Sequence, residues 1–425
     1  MGLLSVTANM HDPYVLRNTL LIAGLHYAWN FGDLSSFDST FLFHKVQSIR
    51  TINTWIENNT SSSLTLCLRH IATLCVVECC LGNFVTAETH LNGLMLLLDT
   101  KEANGTIPRT PKENLEHEFA ERYLIMAFNL IHSLKSRFVD YMDSTPILAP
   151  SSRHMEPKEV ANLIHQWHIQ EATGISARLR AMNMFPSFLS PISAAVQMQP
   201  SEVQPILCCM REITDTFDLR YTKLYAGTEN ASPYYLWASS GPSKLLFSVI
   251  DAHISSITEH PYDHNPGSSQ DLKSSWSSIC IAVGLYLTSV LGIWNQGYPA
   301  ENRLMCYVLR ILRQDLEDNF ADATKKGTTA QDLWFWKAFL GALSLAHVDS
   351  LIEIRVSYTR LLDLVPDFNH YIRTWARNEG VIMWHHARER LQNVVFPTHC
   401  QRETLAKTVW NQALAESTTS TSNKD

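Results

Sequence analysis

Residues 64–99 read LTLCLRHIATLCVVECCLGNFVTAETHLNGLMLLLD. Leu64, Leu68, Ile71, Cys75 and Glu78 recur at spacings of three and four, and so do Leu64, Cys67, Ile71 and Leu74. Each row lies on one face of a helix. Gly82 suits the left-handed position after a last helical residue, because it has no Cβ to clash. Asn83 is expected to cap the next helix with its side-chain oxygen. Phe84, Ala87, Leu91, Leu94 and Leu98 form a second apolar row. So short a connection makes the two helices antiparallel neighbours. Glu78 and His90 are the polar residues nearest the seam. Counting back from the turn sets His90 nearer Cys75 than Glu78, so each is expected to satisfy its own local hydrogen bond.

Working outward, helical periodicity dominates and no alternating strand stands out. Leu16, Leu20, Ala23 and Tyr27 start a helix near Pro13, and Phe41 to Ile56 reads as the next. Beyond the hairpin, a loop carries Gly105, Pro108 and Pro111. A long helix is expected from about Glu113 to Val139 and another from about Glu156 to Thr173. Phe185 to Pro205 holds four prolines, Pro186, Pro191, Pro200 and Pro205, and marks the best candidate boundary between two halves. Ile206, Met210, Ile213, Phe217 and Leu224 mark a helix after it, and Pro233 to Glu259 carries another. Helices follow at about 271–294, 300–319 and 329–346, the last opened by Thr329 and Asp332 with Leu333, Trp336, Leu340 and Leu343 as its buried row. Ser350 with Glu353 opens a further helix that Pro366 ends. One final long helix is expected from Asp367 to about Val394, then a short one over Glu403 to Ala415. The expected fold is all-α, a large multi-helix domain of packed antiparallel hairpins over 1–410, open to division into lobes of about 1–185 and 200–410. The small polar tail 416–425 is expected to be disordered.

Composition narrows the classes. The chain has 425 residues, 45% hydrophobic and 18% charged, with eleven tryptophans, so a sizeable core can form. A formal net charge of −7 repels polyanions on average, and direct nucleic-acid binding is not expected. The nine cysteines are odd in number, contain no C-x2-C pair, and mostly sit in apolar helical rows. They read as reduced, small hydrophobic residues of an intracellular protein. The N-terminus lacks a basic region followed by an apolar core and cleavage site, so no secretory leader is expected. The charge-free run Ile279–Trp294 is shorter than the ~20 residues a bilayer demands and reads as a central core helix.

Gly82-Asn83, Ala87 and His90-Leu91-Asn92-Gly93-Leu94 together resemble a stretch of the fungal-specific transcription factor domain. Asp332-Leu333-Trp334-Phe335-Trp336 with Phe339-Leu340-Gly341 is similar to a Trp-containing helix of that family's C-terminal half. Trp375, Ile382 and Trp384 resemble its closing helix. The likeness spans roughly residues 10–395. It implies a nuclear regulatory protein whose helical region serves regulation, dimer contact or effector sensing. The family's zinc-cluster cysteines have no counterpart here, so DNA reading is not implied for this chain. The resemblance leaves a homodimer, another protein partner or a small-molecule effector as its partners, with no membrane and no cofactor. Two other readings stay open: a helical enzyme acting on an apolar metabolite, and a cytosolic helical scaffold.

Motifs for chemistry are sparse. There is no G-x-G-x-x-G, no G-x4-G-K-[ST], no G-x-S-x-G and no H-E-x-x-H. No catalytic, cofactor-binding or metal residue is therefore assigned. His165 and His168, with Glu171 further along the same face, are the best metal candidates, but they lack an identifiable third ligand. His385, His386, Arg388 and Arg390 form a basic cluster, expected to be a solvated face near a helix C-terminus, where cations suit the dipole. Trp334, Phe335, Trp336 and Phe339 cover more than one helix face. Core packing accounts for most of that, and any surplus would line an effector pocket or a partner surface.

Overall fold

The computed structural model describes residues 13–31, 38–58, 64–103, 122–132, 134–135, 175, 178–179, 182, 185, 198, 200–225, 236, 239–258, 274–293, 302–321, 329–349, 361–400 and 402–415. The protein is all-α, with no strand among the described residues. It divides into two compact units, Met1–Gly174 and Ile175–Asp425.

In the first unit, α1 (Pro13–Phe31) and α2 (Asp38–Asn58) pack on each other and on α3 (Leu64–Cys80), which pairs with α4 (Phe84–Ala103). Residues 122–132 add further helical turns. The helix expected over Glu156–Thr173 lies outside the described residues. The α3–α4 turn forms as its sequence requires. Gly82 sits at φ 81°, donates to the Cys79 carbonyl, and is followed by an Asn83 N–H that reaches the Glu78 carbonyl at 2.9 Å. This pattern satisfies the last orphan carbonyls of α3. Asn83 departs from expectation. Its side-chain nitrogen donates to Glu78 Oε2 at 2.9 Å, and its backbone carbonyl accepts from Ala87 N. The unit's core is built on Leu68, Cys75, Val77 and Cys79 of α3, against Ala87, Leu94 and Leu98 of α4 and Leu124, Ala127 and Ile131 beyond. All of these are shielded from solvent, which accounts for the apolar rows read from the sequence.

The second unit is organised around one helix. α5 (Pro200–Tyr225) pairs with α6 (Ser240–Thr258). α7 (Trp276–Leu285) runs directly into a π-helical turn, Tyr286–Val290, and is followed by α8 (Asn302–Asp318), α9 (Thr329–Asp349), α10 (Val365–Glu379), α11 (Trp384–Val394) and α12 (Glu403–Ala415). α9 touches α7, the π turn, α8, α10, α11 and α12. Its residues 331–345 are all buried, so it is covered by other parts of the unit around nearly its whole circumference.

Three expectations about helix ends are corrected. The single helix expected over Asp367–Val394 is two. Gly380 adopts φ 68° and turns the chain into a left-handed C-cap, with Val381 N bonded to the Ala376 carbonyl at 2.9 Å. Pro366 does not end a helix either. It lies in the first turn of α10, where a missing N–H costs nothing. The core helix expected to Trp294 leaves α geometry at Tyr286. Arg402 Nη1 donates to the carbonyls of Thr288 (3.2 Å) and Ser289 (2.8 Å), and Tyr286 Oη lies 2.8 Å from Thr214 Oγ1. The arginine satisfies carbonyls that a π turn leaves out of the regular ladder.

Candidate functional site

A polar constellation is buried beside α9. Lys337 is the only charged residue between Leu333 and Ala346, and it is 1% exposed. Its ammonium donates to Asp315 Oδ2 of α8 and, at 3.1 Å, to Ser274 Oγ. Asp315 also accepts from the Ser275 N–H at 2.8 Å and from the Ser278 hydroxyl at 2.9 Å. Ser275 caps α7 by accepting from Ser278 N at 3.2 Å. A carboxylate thus sits at a helix N-terminus with a cation beside it, a geometry that favours negative charge. Both partners are buried, so the chemistry of the pair is to hold α7, α8 and α9 in register. The lone lysine inside WFWKAFL is the available sequence signal, and it has no meaning until Asp315 is known to face it.

Aromatic side chains fill the rest of that neighbourhood. Phe335 stacks on Trp375 with ring centroids 3.6 Å apart and 7° between planes. Phe339 stacks on Trp384 at 5.4 Å. Trp334 donates to the Leu316 carbonyl at 2.9 Å and Trp336 to that of Val395 at 2.7 Å. These four aromatics pack into the core and leave no surplus face: Trp334, Phe335, Trp336 and Phe339 are all buried. Trp375 Nε1 is buried with no acceptor among the described residues, while its ring stacks on Phe335 and meets Trp410 edge to face.

The basic cluster is reorganised by the break at Gly380. His385 and His386 lie in the first turn of α11, not near a helix C-terminus, and both are exposed. Their rings approach to 3.9 Å. Arg390 is bound to Glu379 (2.6 Å) and lies 3.5 Å from Asp332. Arg388 donates to the carbonyls of Pro397 and Thr398 and lies 3.7 Å from Glu403. Both guanidiniums thus clamp chain segments together. Burial raises the Asp332 carboxyl above its usual range, and nearby Glu379 pushes the same way, against the Asn393 hydrogen bond and Arg390.

In the first unit Glu78 is buried and pairs with Lys45 at 2.5 Å as well as with Asn83. His90 is held below the usual histidine range by burial and by Lys45, with Glu78 opposing. His165, His168 and Glu171 lie outside the described residues. Among the described residues no group of three or more His, Cys, Asp or Glu is placed to hold a metal ion. Among them also, no helix is long and apolar enough to cross a membrane. All nine cysteines are free thiols, and all but Cys208 are buried. Burial pushes Cys67 up to about 11 and Cys75 to about 12, so these thiols stay protonated and unreactive.

Two histidines carry a pH dependence. Burial lowers His132 to about 4, with Lys135 adding and Glu88 opposing. Burial, assisted by Arg402, lowers His347 to about 4. In the unfolded chain each takes up a proton near 6.5, while in the folded chain it stays neutral down to about 4. Their stabilising contribution is therefore complete above pH 6.5 and declines as pH falls toward 4. Urea midpoints are expected to drop between about pH 7.5 and pH 5. His132→Gln and His347→Gln should each flatten that drop, and an unchanged pH slope in both variants would contradict the assignment.

Set against family models of proteins, curated proteins and solved structures, the chain matches none of them.

Proposed function

We propose that this chain is a transcription-regulator-like protein that retains a helical regulatory region and works in the nucleus. It acts through protein contacts or a small-molecule effector and leaves DNA reading to other chains. The observation that carries the reading is where the three resembling motifs fall. Gly82-Asn83 makes the turn of the α3–α4 hairpin, Asp332 to Gly341 lies on the central helix of the second unit, and Trp375 and Trp384 close on that helix through Phe335 and Phe339. The motifs thus support a shared architecture, since each occupies a position on which packing depends. An effector would act by preferring one helix arrangement over another, because only differential affinity shifts such an equilibrium.

The test is tethering. The full chain is fused to an unrelated sequence-specific DNA-binding domain and placed upstream of a reporter in fungal cells. A severalfold change in reporter output, with nuclear accumulation of the tagged chain, is expected. Exclusion from the nucleus and an unchanged reporter would overturn the proposal. Tight, strongly salt-dependent DNA binding by the purified chain would overturn its second half.

A further inference from the structure

We propose that the corner where α11 meets α9 and α10 is an acid-closed latch, seated by uptake of one proton on Asp332 and loosened when that carboxyl ionises. The latch is a property of the second unit and stands apart from the regulatory reading.

Two carboxylates share one guanidinium at this corner. Glu379 ends α10, Asp332 stands in the first turn of α9, and Arg390 of α11 reaches both. The sharing is unequal. Glu379 has both oxygens bonded, Oε2 by Arg390 Nη2 at 2.6 Å and Oε1 by Gln331 Nε2 at 3.0 Å. Asp332 accepts one hydrogen bond, from Asn393 Nδ2 to Oδ2 at 2.9 Å. Its Oδ1 is buried and accepts none, with Arg390 Nη1 3.5 Å away. Only 9% of the Asp332 side chain and 7% of the Glu379 side chain meet solvent. A buried carboxylate with one oxygen left unbonded is costly to keep charged. With both carboxylates ionised, the trio carries a surplus negative charge where water screens it poorly.

Charges on the surrounding elements are committed elsewhere. α7 and the π turn contain no Asp, Glu, Lys or Arg. On α8, Asp315 pairs with Lys337 of α9, and Arg313 pairs with Glu317 and Asp367. On α10, Arg373 bonds the Ala413 carbonyl, while His370 and Arg377 are exposed. On α11, Arg388 lies against Glu403, and His385, His386 and Glu389 are exposed, as is Lys407 of α12. Arg211 of α5 bonds the carbonyls of Asn393 and Val394. Burial, with Glu379 adding, holds Asp332 above the usual aspartate range, against Asn393 and Arg390. The N-terminal end of α9 opposes that rise as well. A carboxyl so raised takes up its proton more readily in the folded chain than in the unfolded one. Its ionisation therefore weakens the corner as pH rises through the raised value, and protonation restores it below. α11 is the element that responds, because Arg390 and Asn393 are its polar ties to these carboxylates.

Hydrogen–deuterium exchange of the full-length chain, read on peptic fragments covering residues 384–394, tests the latch. Rates are corrected for the intrinsic pH dependence of exchange. Asp332→Asn removes the charge while keeping the shape and an oxygen for Asn393. At about pH 7.5 it should slow exchange of this segment severalfold relative to the parent, and the difference should shrink as pH is lowered toward about 4.5. Glu379→Gln leaves Arg390 to Asp332 alone, and should move the pH response of the segment to lower pH. A segment that exchanges as fast in Asp332→Asn as in the parent at about pH 7.5, or faster, would overturn the proposal. So would a pH response that survives Asp332→Asn, which would belong to the exposed His385 and His386, or one that Glu379→Gln leaves in place. Because exchange is read on purified protein and the tethering assay reads transcription, each proposal fails on its own measurement.

Discussion

The Lys337→Met variant is expected to lose about 3–5 kcal/mol of stability in the second unit, read as a fall in the urea midpoint by tryptophan fluorescence. Met fills nearly the same volume as Lys, so lost packing is a minor part of the effect. The loss comes from Asp315, which is 5% exposed and would be left buried with no cation beside it. The bonds from Ser275 N and the Ser278 hydroxyl offset only part of that cost. Pairing the substitution with Asp315→Asn removes the stranded charge while leaving an amide oxygen to accept from Ser275 N. The double variant should recover most of the loss. If Lys337→Met and the double variant unfold alike, the buried charge is not what the lysine serves.

Gly341→Ala is expected to cost about 3 kcal/mol, at the upper end of overpacking effects. In an isolated helix the same change stabilises by about 1 kcal/mol, because glycine gives up more backbone freedom on folding. The sign reverses here because α10 lies against α9 at this point. A Cβ on residue 341 would overlap Phe368 Cε1 and lie 2.5 Å from its Cδ1. Phe368 is fully buried, so its ring has nowhere to swing, and the two helices must separate. Adding Phe368→Leu to Gly341→Ala should restore part of the loss by removing the ring edge. A Gly341→Ala protein at least as stable as the parent would mean that α10 does not pack this closely on α9.

Much of the local structure is legible in the residues. The α3–α4 hairpin follows from its two apolar rows and from the single residue type that readily tolerates φ 81° at the turn. The buried row Leu333, Trp336, Leu340 and Leu343 is legible because a helix carries its core-facing residues at a fixed period. The departures also have physical causes. Gly380 escapes a reading by periodicity, because a glycine within a continuing helical pattern gives no sign of whether the chain will turn left-handed there. That one break also moves His385 and His386 from the end of a helix to the start of another. The π turn at Tyr286–Val290 has two of its carbonyls bonded by Arg402, more than a hundred residues away along the chain.

The candidate site is the least legible part. Asp315 and Lys337 lie on different helices, and the serines at 274, 275 and 278 precede both. No spacing rule joins them. Arg388 and Arg390 read as a free basic patch, whereas the fold commits both to carboxylates and carbonyls.

By itself the sequence determined that this chain is helical, where most helices begin, and which face of each is apolar, because those properties arise between residues three or four apart. Tertiary structure alone decided which charges are neutralised in the interior, which aromatics stack, and which apolar rows stay in water. Those outcomes depend on which distant helix arrives opposite each face, and a one-dimensional pattern carries no record of that encounter.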